Sequence, residues 1–504
     1  MKEKIKGVLK TKEFYFCLFL VLANVVFLRR ALFNRGIDGT RILLPIQLLI
    51  ELLLLYLFHR FKNLPLEKLF LALALPLGLI FIFIMPFGMS PDEFTHFTRI
   101  YGISEGVLIA PQSEENSGGS ELPAELDEIY TVLPESGTYD EISKDLSIGK
   151  SGEKKEYNYV TAALYNPICY LPQVLGVLTG KILNLPYLAQ AYLARIFNFA
   201  CFLCLVFFAL KYLPKYRKFM IFILFFPITL QETTSLAPDA LTISLTFFLI
   251  SFVLYLATNK KHKMNKKELA ILYILAALLG FCKIIYLPLL LLYFIIPKDC
   301  FGDKNKKLFH AIMMIAMVLI LNVIWLSISS RYLVNVRDGV SPNEQVSFIL
   351  THPFNYLTTL IGTLNAELDF YLTSVFGMSL GHFSINLPRF YFYLFVFISI
   401  LTLAENIEKI KLDLSSKIII LATFLAIILL IFTSLYIQWT PLKNLTVVGV
   451  QGRYFLPILP LLPVILSFAR KREKTFELIS EKTVLLFSVF ANICALTCIL
   501  VANL

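Results

Sequence analysis

Apolar runs of about twenty residues recur along the chain between short polar loops, and that alternation predicts a bundle of membrane-crossing helices. Thirteen candidate spans fall near 15–33, 41–59, 69–87, 189–210, 217–233, 240–257, 268–282, 284–297, 309–329, 389–405, 418–437, 454–470 and 484–503. The pair around 268–297 is short, and Lys283 and Pro288 interrupt it. Two further apolar stretches, 160–180 and 354–378, hold enough Pro, Asn and Gly to predict re-entrant or surface helices. The first apolar run is too long for a signal-peptide core and reads as a retained span. The fold class is an all-α polytopic membrane protein. One integral-membrane unit takes up 1–504, with large outer loops at 88–188 and 330–388.

Composition agrees: 57% of the residues are hydrophobic and only 16% charged, well below a soluble protein's usual quarter. The net charge of +11 would suit nucleic acid, but its distribution argues against that partner. Residues 92–156 hold 15 acids and 5 bases, so one acidic block sits inside a basic membrane protein. The bases cluster at Lys2, Lys4, Lys6, Lys10 and Lys12, at Arg60 and Lys62, at Lys211, Lys215 and Lys218, at Lys260 through Lys267, at Lys304, Lys306 and Lys307, and at Arg470 through Lys474. Placing these loops in the cytoplasm gives a consistent alternation, with the N-terminus inside and the acidic block outside. Arg29, Arg30, Arg35 and Arg41 run against it. Eight scattered cysteines imply no disulfide framework. There is no Walker A motif, no GxGxxG and no zinc spacing.

Chemistry is expected where ionisable groups meet span ends. The strongest cluster follows the third span: Ser90, Pro91, Asp92, Glu93, His96 and Arg99. Ser90 reads as an N-cap, Pro91 as the first helical residue and Glu93 as the third position of a capping box. On that helix Asp92 and His96 are four apart, with Arg99 three further on, so a carboxylate, an imidazole and a guanidinium share one stripe. A helix start with ordinary surface polarity has the same spelling. A second acid, Asp239, follows Pro238 at the head of the span at 240–257, with Glu232 near the end of the span before it. Three cations, Arg195, Lys283 and Arg453, lie at apolar segment ends on the same expected side. Each could simply snorkel; together they suit a phosphate or pyrophosphate at headgroup level. Tyr165, Asn166, Gln451 and Tyr454 stand nearby as acceptor-binding or site-shaping candidates. The stretch from 111 to 156, rich in Glu, Gly and Ser, reads as a mobile lid or disordered insertion.

Six segments in order, SPDEFTHFTRIYGISEG, YNPICYLPQVLG, YLARIFNF, SLAPDAL, CKIIYLPLLL and QGRYFLP, resemble the bacterial polytopic family DUF2142 over about 85–460. That family is similar in layout to the GT-C membrane glycosyltransferases, which take a sugar from a polyprenyl-phosphate carrier. The resemblance implies a GT-C-like fold with Asp92 and Glu93 as the acidic pair of the first outer loop, between Pro91 and His96. More spans precede the pair here than the single one of many GT-C enzymes. It further implies an undecaprenyl-phosphate hexose donor and a cell-envelope glycan or teichoic-acid acceptor, in a bacterial plasma membrane with the site facing outward. Asp92 would act as general base with Glu93 as second choice, and Lys283, Arg453 and Arg195 would hold the donor phosphate, with inversion at the anomeric carbon. His96, Arg99, Asp239, Gln451, Tyr454, Tyr165 and Asn166 would shape the acceptor site. No cofactor is demanded, although a divalent cation could bridge Asp92 and phosphate. The alternatives are a transporter or flippase of lipid-linked sugars, an envelope polysaccharide polymerase or ligase, and a non-catalytic assembly scaffold.

Overall fold

The computed structural model describes residues 12–112, 117–129, 138–259, 262–333, 337–405, 412–468 and 477–504. Lys2, Lys4, Lys6, Lys10, Lys260 and Arg470 through Lys474 lie outside the described residues, as do 113–116 and 130–137 of the acidic stretch.

Among the described residues nineteen α-helices follow one another: α1 (Lys12–Arg35), α2 (Thr40–Phe61), α3 (Leu66–Ile84), α4 (Glu93–Ser104), α5 (Thr138–Asp145), α6 (Val160–Ala163), α7 (Leu171–Ile182), α8 (Tyr187–Tyr212), α9 (Arg217–Leu224), α10 (Pro227–Thr234), α11 (Asp239–Thr258), α12 (Lys266–Phe281), α13 (Lys304–Ser329), α14 (Pro342–Thr351), α15 (Pro353–Phe376), α16 (Arg389–Ala404), α17 (Leu414–Gln438), α18 (Leu462–Ser467) and α19 (Glu481–Ala502). Two small two-stranded antiparallel sheets complete the described structure, which is that of an all-α polytopic membrane protein. Among the described residues eight helices, α1, α2, α3, α8, α11, α13, α17 and α19, are long and apolar enough to cross a membrane, and all eight fall on predicted spans.

The other five predicted spans are shorter or broken, and proline explains three of them. It has no N–H to donate, and its ring crowds the preceding turn. The run at 217–233 parts at Pro227, ahead of which Phe226 is extended at φ −62°, ψ 137°. Pro288 sits within a 3-10 segment, Ile284–Ile295. Pro457 and Pro460 sit in another, Gly452–Leu461, which leads into α18. Helices α12 and α16 are regular but only 16 residues each. The stretch at 354–378, expected as a re-entrant or surface helix, is one continuous 24-residue helix, α15, and is not among the helices apolar enough to cross a membrane.

Burial sorts the bundle. The apolar windows of α11 and α19 are 94% and 89% buried, so these two form its centre. Those of α1, α2 and α13 are 22% buried and turn residues such as Phe33, Leu49 and Leu319 outward, as lipid-facing helices do. Caps close the polar ends: Asn265 and Glu268 form a reciprocal capping box on α12, and Asp303, Asp413 and Ser480 cap α13, α17 and α19. Arg35, one of the arginines at odds with the loop-charge pattern, donates to the Ala502 carbonyl at the end of α19.

The acidic stretch corrects the reading of a disordered insertion. Its described part is built rather than open. Gly119–Pro123 pairs with Lys154–Asn158, a 3-10 turn follows at Ala124–Glu128, and Lys155 pairs with Asp127. Leu122, Leu126 and Tyr157 are buried beneath it, and the Tyr157 hydroxyl donates to the Pro123 and Ala124 carbonyls. Enough apolar side chains lie among the acids to anchor the segment on the bundle.

Candidate functional site

Chain direction at the end of α3 sets up the site. Helix α4 begins at Glu93, later than the capping pattern predicts, and Pro91 stays outside it. Asp92 is the N-cap residue, left-handed at φ 62°, and its side chain makes no capping bond. The expected box between Ser90 and Glu93 is absent; Ser90 gives only its carbonyl, to the Glu93 N–H. Asp92 and Glu93 therefore part company. The Asp92 side chain is 69% exposed, while that of Glu93 is fully buried.

Glu93 turns inward onto Arg195 of α8. Arg195 Nε donates to Glu93 Oε1 at 2.7 Å and Nη2 to Oε2 at 2.6 Å. The remaining guanidinium N–H groups go to the carbonyls of Ile82, Met85 and Pro86. The carboxylate also accepts from the backbone N–H groups of Gly88 and Leu236. All five donors of the arginine and all four acceptor positions of the glutamate are thus occupied. This corrects two expectations: Glu93 has no lone pair left to act as base, and Arg195 has no N–H left for a phosphate.

The other two cations do converge. Lys283, in the turn between α12 and the Ile284–Ile295 segment, meets Asp239 Oδ1 at 2.6 Å. Arg453 meets Glu232 Oε2 at 3.0 Å, Asp92 Oδ2 at 3.6 Å and Asp239 Oδ2 at 4.0 Å. Four segments far apart in sequence supply these groups, and two glycines allow the approach. A Cβ on Gly452 would lie 2.2 Å from the Val375 nitrogen, so only glycine lets the Arg453 segment reach the end of α15. Gly377, left-handed at φ 79°, ends α15 and would bring a Cβ within 2.2 Å of Ile228 of α10, the helix that carries Glu232. A small cavity opens beside Arg453, lined by Pro91, Gln231, Glu232, Ser374 and Gln451. Two buried atoms here, Gln451 Oε1 and Arg453 Nε, have no hydrogen-bond partner.

Aromatic rings close the other side. Lys283 Nζ stands 5.0 Å from the Tyr454 ring centroid and 5.9 Å from that of Tyr165, and the Arg453 guanidinium stands 5.5 Å from Tyr454. Burial pushes the Tyr165 hydroxyl up to about 12. His96 joins Tyr170 through Nδ1 at 2.8 Å. Burial holds its imidazole down at about 4, helped by Lys283 and Arg453 and opposed by Asp92 and Asp239, so His96 is neutral at pH 7. Asn166 caps the turn Pro167–Tyr170 by accepting from the Ile168 N–H. Arg99 departs from the expected stripe: it is fully buried and donates to the Val107 and Leu108 carbonyls, with its guanidinium over Tyr159.

Sequence reading placed Glu232 only as an acid near a span end. It is in fact the closest partner of Arg453 and is 1% exposed. The signal was present, because an acid in so apolar a run needs a buried partner. Among the described residues no three His, Cys, Asp or Glu side chains are grouped to hold a metal ion.

The model of a family described as "Predicted membrane protein (DUF2142)" matches residues 75–462. That span takes in α4, the paired Glu93 and Arg195, and every member of the Lys283–Arg453 cluster. No curated protein matches the chain, and no solved structure does.

Proposed function

The chain belongs to the DUF2142 family of membrane proteins, and from that footing we propose that it is a membrane glycosyltransferase of the GT-C kind. It would move a hexose from a polyprenyl-phosphate donor to an envelope glycan or teichoic acid on the outer face of a bacterial plasma membrane. One observation carries the reading: Lys283 and Arg453 converge beside Asp92, an exposed carboxylate relieved of capping duty.

In this reading the acceptor hydroxyl attacks the anomeric carbon and passes its proton to Asp92. The bond to the lipid phosphate breaks, and the phosphate leaves with the electron pair. Lys283 and Arg453 stabilise the departing charge, so no acid is needed for a leaving group of this kind. A single displacement inverts the anomeric carbon. Neutral His96 and the rings of Tyr165 and Tyr454 line the acceptor side, with Asp239 orienting Lys283.

Charge balance adds a condition. Two cations face three carboxylates, Asp92, Glu232 and Asp239. An entering phosphate requires either that Asp92 swing off Arg453 or that a divalent cation arrive with the donor. Sensitivity of transfer to a chelator separates the two.

The decisive experiment is transfer from a purified polyprenyl-phosphate sugar by the protein in detergent. Asp92→Asn is expected to lower transfer about 10²–10⁴-fold while leaving thermal stability unchanged. Normal transfer by that variant removes Asp92 as base. Wild-type protein that only moves the lipid between leaflets favours the flippase reading instead.

A further inference from the structure

A second carboxylate lies far from this site, in the middle of a span. Glu51 is on α2 with about 15 Å of helix on either side of it, and it is 1% exposed. Its Oε1 accepts from Asn24 Nδ2 of α1 at 3.0 Å and from Gln47 Nε2 at 3.3 Å. Its Oε2 is buried with no hydrogen-bond partner. The network extends further: Asn24 also donates to the Phe490 carbonyl of α19 and accepts from the Tyr391 hydroxyl of α16, and Thr497 of α19 donates to Gln47.

Among the described residues no cation balances this acid. Glu51 forms no ion pair among the described residues. The titratable groups that interact with it are Tyr391 on α16 and Cys494 on α19, with Cys498 next to Cys494, none of them positive when protonated. An ionised carboxylate at that depth, with one oxygen wholly unpaired, faces a desolvation cost that nothing nearby offsets. Adding a proton to the unpaired oxygen removes the charge and keeps Oε1 as the acceptor of both amide donors. Hydrogen bonds to one oxygen alone suit a carboxylic acid better than a carboxylate.

We propose that Glu51, framed by Asn24, Gln47, Thr497 and Tyr391, is a proton-binding site inside the membrane, holding one proton on Oε2 at neutral pH where α1, α2, α16 and α19 meet. The ligand is the proton itself. The neighbouring oxygens are already engaged by N–H and O–H donors, which leaves too few free ligands for a dehydrated alkali cation.

Infrared difference spectra of the full-length protein in lipid, wild type minus Glu51→Gln at neutral pH, test this. The expected result is the carbonyl stretch of one protonated carboxylic acid per chain, present in the wild type and lost in the variant. Carboxylate bands in its place overturn the proposal. If Glu51→Gln does not fold, Glu51→Met supplies the same subtraction, since a neutral acid can be exchanged for an apolar side chain of similar volume. Exchanging choline for sodium at fixed pH is expected to leave the band unchanged. Its conversion to carboxylate in sodium overturns the proposal in favour of an alkali cation.

Discussion

Glu93–Arg195 and Asp239–Lys283–Arg453 are two buried ionic groups that meet at the same end of the bundle, yet they are built on opposite plans. In the first, every donor and acceptor is used, five of the nine by backbone groups at 82–88 and in the loop before α11. In the second, Arg453 Nε and Gln451 Oε1 stay unpaired, one carboxylate is exposed, and a cavity adjoins the guanidinium. The first can only hold the chain; the second still has capacity to bind. Counting hydrogen-bond positions thus separates scaffold from site where charge and burial alone do not.

The sharpest way to break this contrast is to strand one partner of the closed pair. Arg195→Leu is expected to destabilise the protein by about 3–5 kcal/mol, read as thermal unfolding in detergent, because it leaves Glu93 buried and unpaired. The double variant Glu93→Leu/Arg195→Leu should recover much of that loss. An unchanged unfolding temperature for Arg195→Leu would show that the pair does not hold the turn. Next in size, Lys283→Met is expected to cost about 10²–10³-fold in transfer from a lipid-phosphate donor. Its stability should fall less than that of Arg195→Leu, since Arg453 remains 4.0 Å from Asp239. Equal losses of stability in the two variants would erase the distinction. The smallest effect is a pH dependence. His96 titrates near 4 when folded, against an ordinary value of about 6.5. As pH falls through that window the unfolded chain takes up a proton that the folded one refuses, so stability drops on acidification by up to about 3 kcal/mol. His96→Gln should flatten that slope in unfolding measured from pH 7 to pH 4.

Much of this architecture was legible in the hydrophobic pattern. All eight long spans were, because twenty apolar residues in a row have few other uses. Of the proline-broken segments only the one at Pro288 was; the breaks at Pro227 and at Pro457 and Pro460 were not, since hydropathy counts a proline within an apolar run without registering the N–H it removes. At the site, Lys283, Arg453, Asp239 and Asp92 stood out as charges at span ends, and the structure brings them together. The stripe of Asp92, His96 and Arg99 failed at Arg99, whose guanidinium turns to the Val107 and Leu108 carbonyls, while Asp92, left-handed and outside the helix, still acts on His96. The partnership of Glu93 with Arg195 joins residues 102 apart, and no periodicity reports a contact of that range.

That separation has a consequence for how the protein is made. Glu93 leaves the ribosome 102 residues ahead of Arg195, a delay of roughly 5–20 s at ordinary rates of synthesis. During that time α1, α2 and α3 are already in place while the turn after them holds a carboxylate without its partner. The segment after α3 cannot settle until α8 has entered the membrane and delivered the guanidinium. The closed pair is therefore also a checkpoint in assembly: chains halted before α8 should keep their early spans and leave the 88–104 region open to protease.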